Sequence, residues 1–139
     1  MPMMKKNGKP KTSALPSPVA RSGKKAQRTF AKAHDSAAEQ YGEGRRAMQT
    51  AYAALKFTHE KVGDHWEKKD RSGPSDEQVE GGKNPKVPTA GGVDANASKK
   101  HLYELARRLQ VRGRSTMSKP ELVSAIQKAN RRATAEARR

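Results

Sequence analysis

From Arg71 to Ala97 the chain is rich in Gly, Pro, Ser and Asn and nearly free of large apolar side chains. A segment with so little to bury predicts a flexible, disordered linker with a separately folded module on each side. The modules must draw on a small apolar stock: one Trp, three Tyr and two Phe, with 32% of the 139 residues hydrophobic. Sparse hydrophobicity combined with high net charge favours folded islands over one large core.

Charge divides the chain the same way. Residues 1–30 hold eight Lys and Arg and no acid, residues 31–70 hold seven of each sign, and residues 98–139 hold twelve basic against three acidic side chains. The net charge of +16 is therefore concentrated at the two ends and draws polyanions toward them. Without cysteine there is no disulfide framework, no thiolate catalysis and no Cys-containing zinc finger. No apolar run approaches the roughly 18 residues of a membrane span, and the Lys-rich start leads into Pro, Ser and Ala instead of a signal-peptide core. These features place the protein in the cytoplasm, with the bacterial nucleoid as its destination.

Residues 1–14, with Lys5, Lys6, Lys9 and Lys11 interrupted by Gly8 and Pro10, predict a disordered basic arm. In the first module, residues 15–70, Ser22 is placed to cap a helix with Ala26, Phe30, Ala33, Ala37 and Tyr41 on one face. After Gly42 and Gly44, a second helix carries Ala47, Ala51, Ala54, Leu55, Thr58 and Val62 inward until Gly63 ends it, and the two pack antiparallel. Phe30, Tyr41, Tyr52, Leu55, Phe57 and Trp66 supply most of this core, with Trp66 the largest contributor.

The second module spans residues 98–132. Ser98 caps a helix with Leu102, Leu105, Ala106 and Leu109 inward, a loop runs through Gly113, and Ser118 with Glu121 spells a capping box for a last helix. Leu122, Val123, Ile126 and Ala129 line that helix, with Val111 and Met117 beneath the loop. Residues 133–139 read as a basic tail. The fold class is mainly α, an antiparallel helical module joined to a helix, extended loop and helix.

Two resemblances refine this reading. The opening Leu15-Pro16, the spacing that ends at Gln40-Tyr41, the run Ala53-Ala54-Leu55-Lys56 and the closing His65-Trp66 resemble the ChaB family, named for regulation of cation transport. The resemblance implies a small helical fold with short strand-like pairing, residues near Trp66 lying extended against the segment after Leu15. Leu102, Leu105 and Ala106, the loop Val111-Arg112-Gly113-Arg114-Ser115, Met117-Ser118-Lys119 and Glu121-Leu122 are similar to the N-terminal domain of the Rho transcription termination factor and to SAP modules. That likeness implies contact with DNA or RNA.

The candidate nucleic-acid contacts are Lys99, Lys100, Arg107, Arg108, Arg112, Gly113, Arg114, Ser115, Lys119, Lys128, Arg131 and Arg132, a nearly continuous basic collar. Lys5, Lys6, Lys9 and Lys11 add a tethered second contact. Arginine presents a planar fork to phosphate oxygens, and the helix after Ser118 offers N–H groups and a positive dipole end to an anion. With roughly six phosphates neutralised, log K falls against log salt with a slope near −5. Gly113 is expected where the loop backbone needs positive φ or a close approach, a plain flexible spacer being the alternative.

No base-reading code is visible, so sequence preference is weak, with DNA slightly favoured over RNA. His34, His59, His65 and His101 lack helical chelate spacing, so no metal is expected; a surface or helix-end setting explains them, with His65 packing beside Trp66. No phosphate loop, nucleophile elbow or paired acids appear, and neither catalysis nor a cofactor nor a small-molecule substrate is expected. The leading reading is a non-enzymatic nucleoid- or transcription-associated protein whose ChaB-like module contacts a protein or a second copy. The alternative is a soluble regulator of a cation transporter, acting by protein or anionic-membrane contact.

Overall fold

The computed structural model describes residues 2–74 and 91–137. These residues are mostly helical, with one small antiparallel sheet. In chain order the elements are α1 (Ser17–Ala20), α2 (Lys24–Tyr41), α3 (Arg45–Thr58), β1 (His59–Val62), β2 (His65–Lys68), α4 (Lys99–Arg108) and α5 (Lys119–Ala137), with 3-10 turns at Thr12–Ala14 and Arg114–Thr116.

Helices α2 and α3 fold back on each other across Gly42 and Gly44, which sit at φ +82 and +132, values an L side chain rarely adopts. Ala26, Phe30, Ala31 and Ala37 from α2 meet Ala47, Ala51 and Leu55 from α3, and small alanines let the axes come close. Phe30 meets the Tyr52 ring edge-on with centroids 4.9 Å apart, and Tyr52 in turn leans on Trp66. This N-terminal core takes in Leu15, Val19 and Met3.

Several expectations are corrected here. Tyr41 is 47% exposed and Phe57 46%, so neither belongs to the core; the Arg46 guanidinium lies 3.8 Å over the Tyr41 ring. Ser22 caps nothing. Gly23 holds the N-cap position of α2, while the Ser22 hydroxyl is buried, donates to the Pro18 carbonyl and accepts the Trp66 N–H. The segment after Leu15 is therefore tied to Trp66 by this bond, and the strand that pairs with β2 is β1. Helix α3 stops at Thr58, four residues short of Val62, because His59–Val62 turn extended.

The basic arm is also folded where it is described. The N–H groups of Met3 and Met4 both donate to the Asp35 carboxylate, at 2.8 and 2.9 Å, and Met4 bridges Pro10 around a tight turn. Buried Met3 anchors the arm while Lys5, Lys6, Lys9 and Lys11 stay exposed.

The hairpin positions everything downstream. Its register pairs His59 with Lys68, Glu60 with Glu67, Lys61 with Trp66 and Val62 with His65, around a two-residue turn led by Gly63 at φ +68. Alternation along the strands gives it two different faces. Trp66 faces the N-terminal core, while Val62 belongs to a second core with Val93, Leu102, Leu105, Ala106, Leu122 and Ile126. The hairpin is thus a wall shared by both modules.

The expected linker is likewise part ordered. Val93 is fully buried, and Gly92 accepts the Lys61 N–H at 2.8 Å and lies so close to Trp66 that a Cβ there would meet the indole at 2.6 Å. Residues 91–97 therefore belong to the fold, and at the other end Gly73 donates to the Phe57 carbonyl. The rest of the predicted linker, residues 75–90, lies outside the described residues.

In the second module the two predicted caps form. Ser98 accepts the His101 N–H, and Ser118 and Glu121 exchange the reciprocal bonds of a capping box. Helix α4 ends in a left-handed turn at Gln110, φ +59, with the Val111 N–H returning to the Ala106 carbonyl. Gly113 adopts the expected left-handed conformation at φ +74. Helix α5 continues to Ala137, so residues 133–137 of the expected tail are helical; Arg138 and Arg139 lie outside the described residues.

Candidate nucleic-acid interface

The predicted collar divides into two populations. Lys99, Lys100, Arg112, Ser115, Lys128, Arg131 and Arg132 are exposed and Lys119 is half-buried, and among the described residues no ion pair engages these cations. Three arginines are already committed. Arg107 is paired with Glu104 at 3.0 Å, and Arg108 makes a two-pronged contact with Glu67 at 2.7 and 3.0 Å. Arg114 donates to the Val111 carbonyl and sits over the Tyr103 ring. The collar is therefore interrupted at these positions, and at Arg108 on the side of α4 that faces the hairpin.

What remains is organised by helix geometry. On α5, Leu122, Ile126, Asn130 and Thr134 recur every four residues and are buried, which leaves Lys128, Arg131 and Arg132 around the opposite, solvent pole. On α4, burial of Leu102, Leu105 and Ala106 turns Lys100, Glu104 and Arg107 outward, with Lys99 at the helix start. The loop contributes Arg112 and Ser115 beside the exposed Gly113. The expected anion seat at the start of α5 is a correction: the Glu121 carboxylate accepts the Ser118 N–H and hydroxyl, so an acid of the chain already occupies that position. Those bonds hold Glu121 below its ordinary range.

Sequence reasoning did not anticipate how the modules dock. Glu60, buried on the second face of the hairpin, takes His101 through both carboxylate oxygens at 2.8 and 3.0 Å, and Glu67 takes Arg108. Burial pushes the Glu60 carboxyl above its usual range although His101 opposes the shift, whereas the Arg108 hydrogen bond pulls Glu67 below it. Each partner lies 41 residues away, a separation that no local pattern reports. Asn130 and Thr134 complete the contact. The Asn130 Oδ1 accepts the Gly63 N–H at 2.6 Å, its Nδ2 donates to the Lys61 carbonyl at 3.0 Å, and the Thr134 hydroxyl donates to the Gly63 carbonyl.

The histidines are absorbed by neighbours. His34 contacts Asp35, His59 contacts Thr58, His101 contacts Glu60, and His65 bridges Asp64 and Glu67. His34 is buried instead of lying at the surface, His59 is buried at the expected helix end as the C-cap of α3, and His65 stands on the hairpin face opposite Trp66. Among the described residues no group of three or more ligating side chains could hold a metal, and no helix is long and apolar enough to cross a membrane.

His65 should make the stability of the fold pH-dependent. Burial works against its charged form, but the bonds to Asp64 and Glu67 outweigh that and raise its pKa above the ordinary 6.5. A raised folded-state value contributes stability that is complete below 6.5 and lost as pH climbs through the raised value. Burial, with the charges of Lys25 and Lys68, lowers His59, whose contribution is intact above 6.5 and leaves that range to His65. Thermal unfolding should therefore occur at lower temperature at about pH 8.5 than at about pH 6.5. In His65→Gln the difference should flatten; an unchanged difference would remove His65 as its source.

Comparison with curated proteins and with solved structures returns no significant match. Neither comparison supports the expected likeness of residues 98–132 to the Rho N-terminal domain and SAP modules. For the first module there is more: residues 15–69, running from the start of the N-terminal core to the end of the hairpin, match the model of the ChaB family.

Proposed function

We propose that this chain is a small, non-enzymatic nucleic-acid-binding protein that grips phosphate backbones through the outer stripe of α5 and the neighbouring loop. One observation carries the reading. In the second module the acids are used internally, Glu104 on Arg107 and Glu121 on Ser118, while Lys99, Lys100, Arg112, Lys128, Arg131 and Arg132 face solvent. The field leaving that surface is net positive, with the exposed Glu136 one turn after Arg132 as an offsetting acid.

Because Arg107 and Arg108 are paired with Glu104 and Glu67, fewer phosphates are neutralised than the sequence count suggests. About four contacts give a slope of log K against log salt of roughly −4. Exposed cations spread over α4, the loop and α5 support backbone contact with weak sequence preference; a slight preference for DNA and a nucleoid- or transcription-linked role belong to the same proposal. The exposed lysines of the anchored arm supply a second contact.

A second reading is supported by the ChaB family match at residues 15–69: regulation of a cation transporter through contact with a protein or an anionic membrane. Fluorescence anisotropy with random duplex DNA, single-stranded RNA and anionic vesicles at about 150 mM salt separates the two. The first reading expects polynucleotide binding with the steep salt slope and a loss of more than about tenfold when Lys128, Arg131 and Arg132 are all reversed to Glu. Binding to vesicles alone, or a slope near zero, would sink it and favour the second.

A further inference from the structure

Arg114 is the unusual member of the basic surface. Its Nε is buried and has no hydrogen-bond partner among the described residues, although one terminal nitrogen donates to the Val111 carbonyl. A donor on a charged group enclosed without an acceptor is unfavourable, so this side chain rests in a position that it gains by leaving. What it covers is aromatic: its guanidinium carbon stands 5.6 Å from the centroid of the Tyr103 ring. Tyr103 is half-buried against the second core, and it shares one side of α4 with Lys99, Lys100 and Arg107. An aromatic platform set among cations, capped by an arginine with an unmet donor, is the combination that single-stranded nucleic acid exploits. Cations follow the backbone and unstacked bases lie on the ring.

We propose that Tyr103 is a stacking platform for one base of single-stranded nucleic acid, and that Arg114 is the cover that moves from the ring to a backbone phosphate as the base arrives. The exchange is local. Arg114 gives up a cation–π contact and gains phosphate oxygens for its unmet donor, while the base takes the ring face that Arg114 vacates. Duplex DNA, whose bases are already stacked, makes no use of the platform and is held by the cations alone. This inference rests on the polynucleotide-binding reading above and specifies which form of nucleic acid the surface prefers.

The test compares the full chain with Tyr103→Leu, which keeps apolar bulk over the core, and Tyr103→Phe, which keeps the ring. The probes are an oligothymidylate and a closed DNA hairpin of matched phosphate number. Tyr103→Leu should weaken oligothymidylate binding by about tenfold, the equivalent of roughly 1.4 kcal/mol, with hairpin binding changed by less than about twofold. Tyr103→Phe should match the unaltered chain on both. The salt slope should stay the same in Tyr103→Leu, because stacking releases no counterions, and should become shallower by about one unit in Arg114→Ala on the single strand alone.

Photo-crosslinking the unaltered chain to an oligonucleotide carrying 5-iodouracil tests the platform without relying on a variant's fold, and the adduct should map to the peptide containing Tyr103. Equal losses on both probes, no loss on either, or an adduct that maps elsewhere would overturn the platform. Failure of the unaltered chain to bind either probe would instead overturn the polynucleotide reading itself.

Discussion

Asn130→Ala should unfold at a temperature roughly 6 to 12 °C below that of the unaltered chain, a loss of about 2 to 4 kcal/mol. The side chain is only 2% exposed and lies on α5, far along the sequence from the groups it serves. Removing it leaves the Gly63 N–H and the Lys61 carbonyl without their partners in a region closed to water, and each orphan costs about 1 to 3 kcal/mol. Asn130→Asp discriminates the mechanism. It retains an acceptor for Gly63 but turns an oxygen toward the Lys61 carbonyl and buries a charge, so it should be at least as damaging. Chemical denaturation followed by circular dichroism measures both; an alanine variant as stable as the unaltered chain would mean that the docking does not depend on these bonds.

Trp66→Ala should be the most damaging single truncation, at about 3 to 5 kcal/mol. That is a large share of the roughly 5 to 15 kcal/mol that holds a domain of this kind together. The indole touches two separate parts of the fold, the Tyr52 ring of α3 and the backbone at Gly92. Without it, the N-terminal core loses its base and residues 91–93 lose the surface they rest on. Trp66→Phe should recover about half of the loss, since a smaller ring still fills part of the cavity. A midpoint for Trp66→Ala that coincides with the unaltered one would show that the indole is not part of the core.

Much of the local structure was legible in the sequence because its causes are local. Ser98, Ser118 and Glu121 announce their caps by spacing, Gly113 announces its left-handed turn, and the apolar stripes of α2, α4 and α5 follow helical periodicity. Tyr41 continued the periodic stripe of α2 yet is exposed at the helix end, where its ring meets Arg46 of α3 in place of an apolar partner. Periodicity predicts a face but not how far that face is covered.

Short strand pairing near Trp66 was implied by the ChaB resemblance, but the residue pattern of the first strand did not show it. His59–Val62 carries helix-compatible residues, and only tertiary contacts on both sides make it extended. The candidate site was legible as a set of exposed cations but not as a pattern of availability. Glu67 and Arg108 are unremarkable in isolation, and their pairing depends on how two distant segments dock. A count of basic residues therefore overstated the free charge by two arginines, each paired with an acid of the fold.

The sealing of β1 has a consequence for proteolysis. The outward amide of Lys61 is taken by Gly92, and its carbonyl by Asn130, so the strand offers no open ladder to a stranger. Clipping the last helix anywhere before Asn130 would strip half of that seal and also uncover Val62 and its apolar neighbours. The shortened product would be adhesive, apt to zip onto another copy along the bared strand, and its self-association would be the first visible sign of damage.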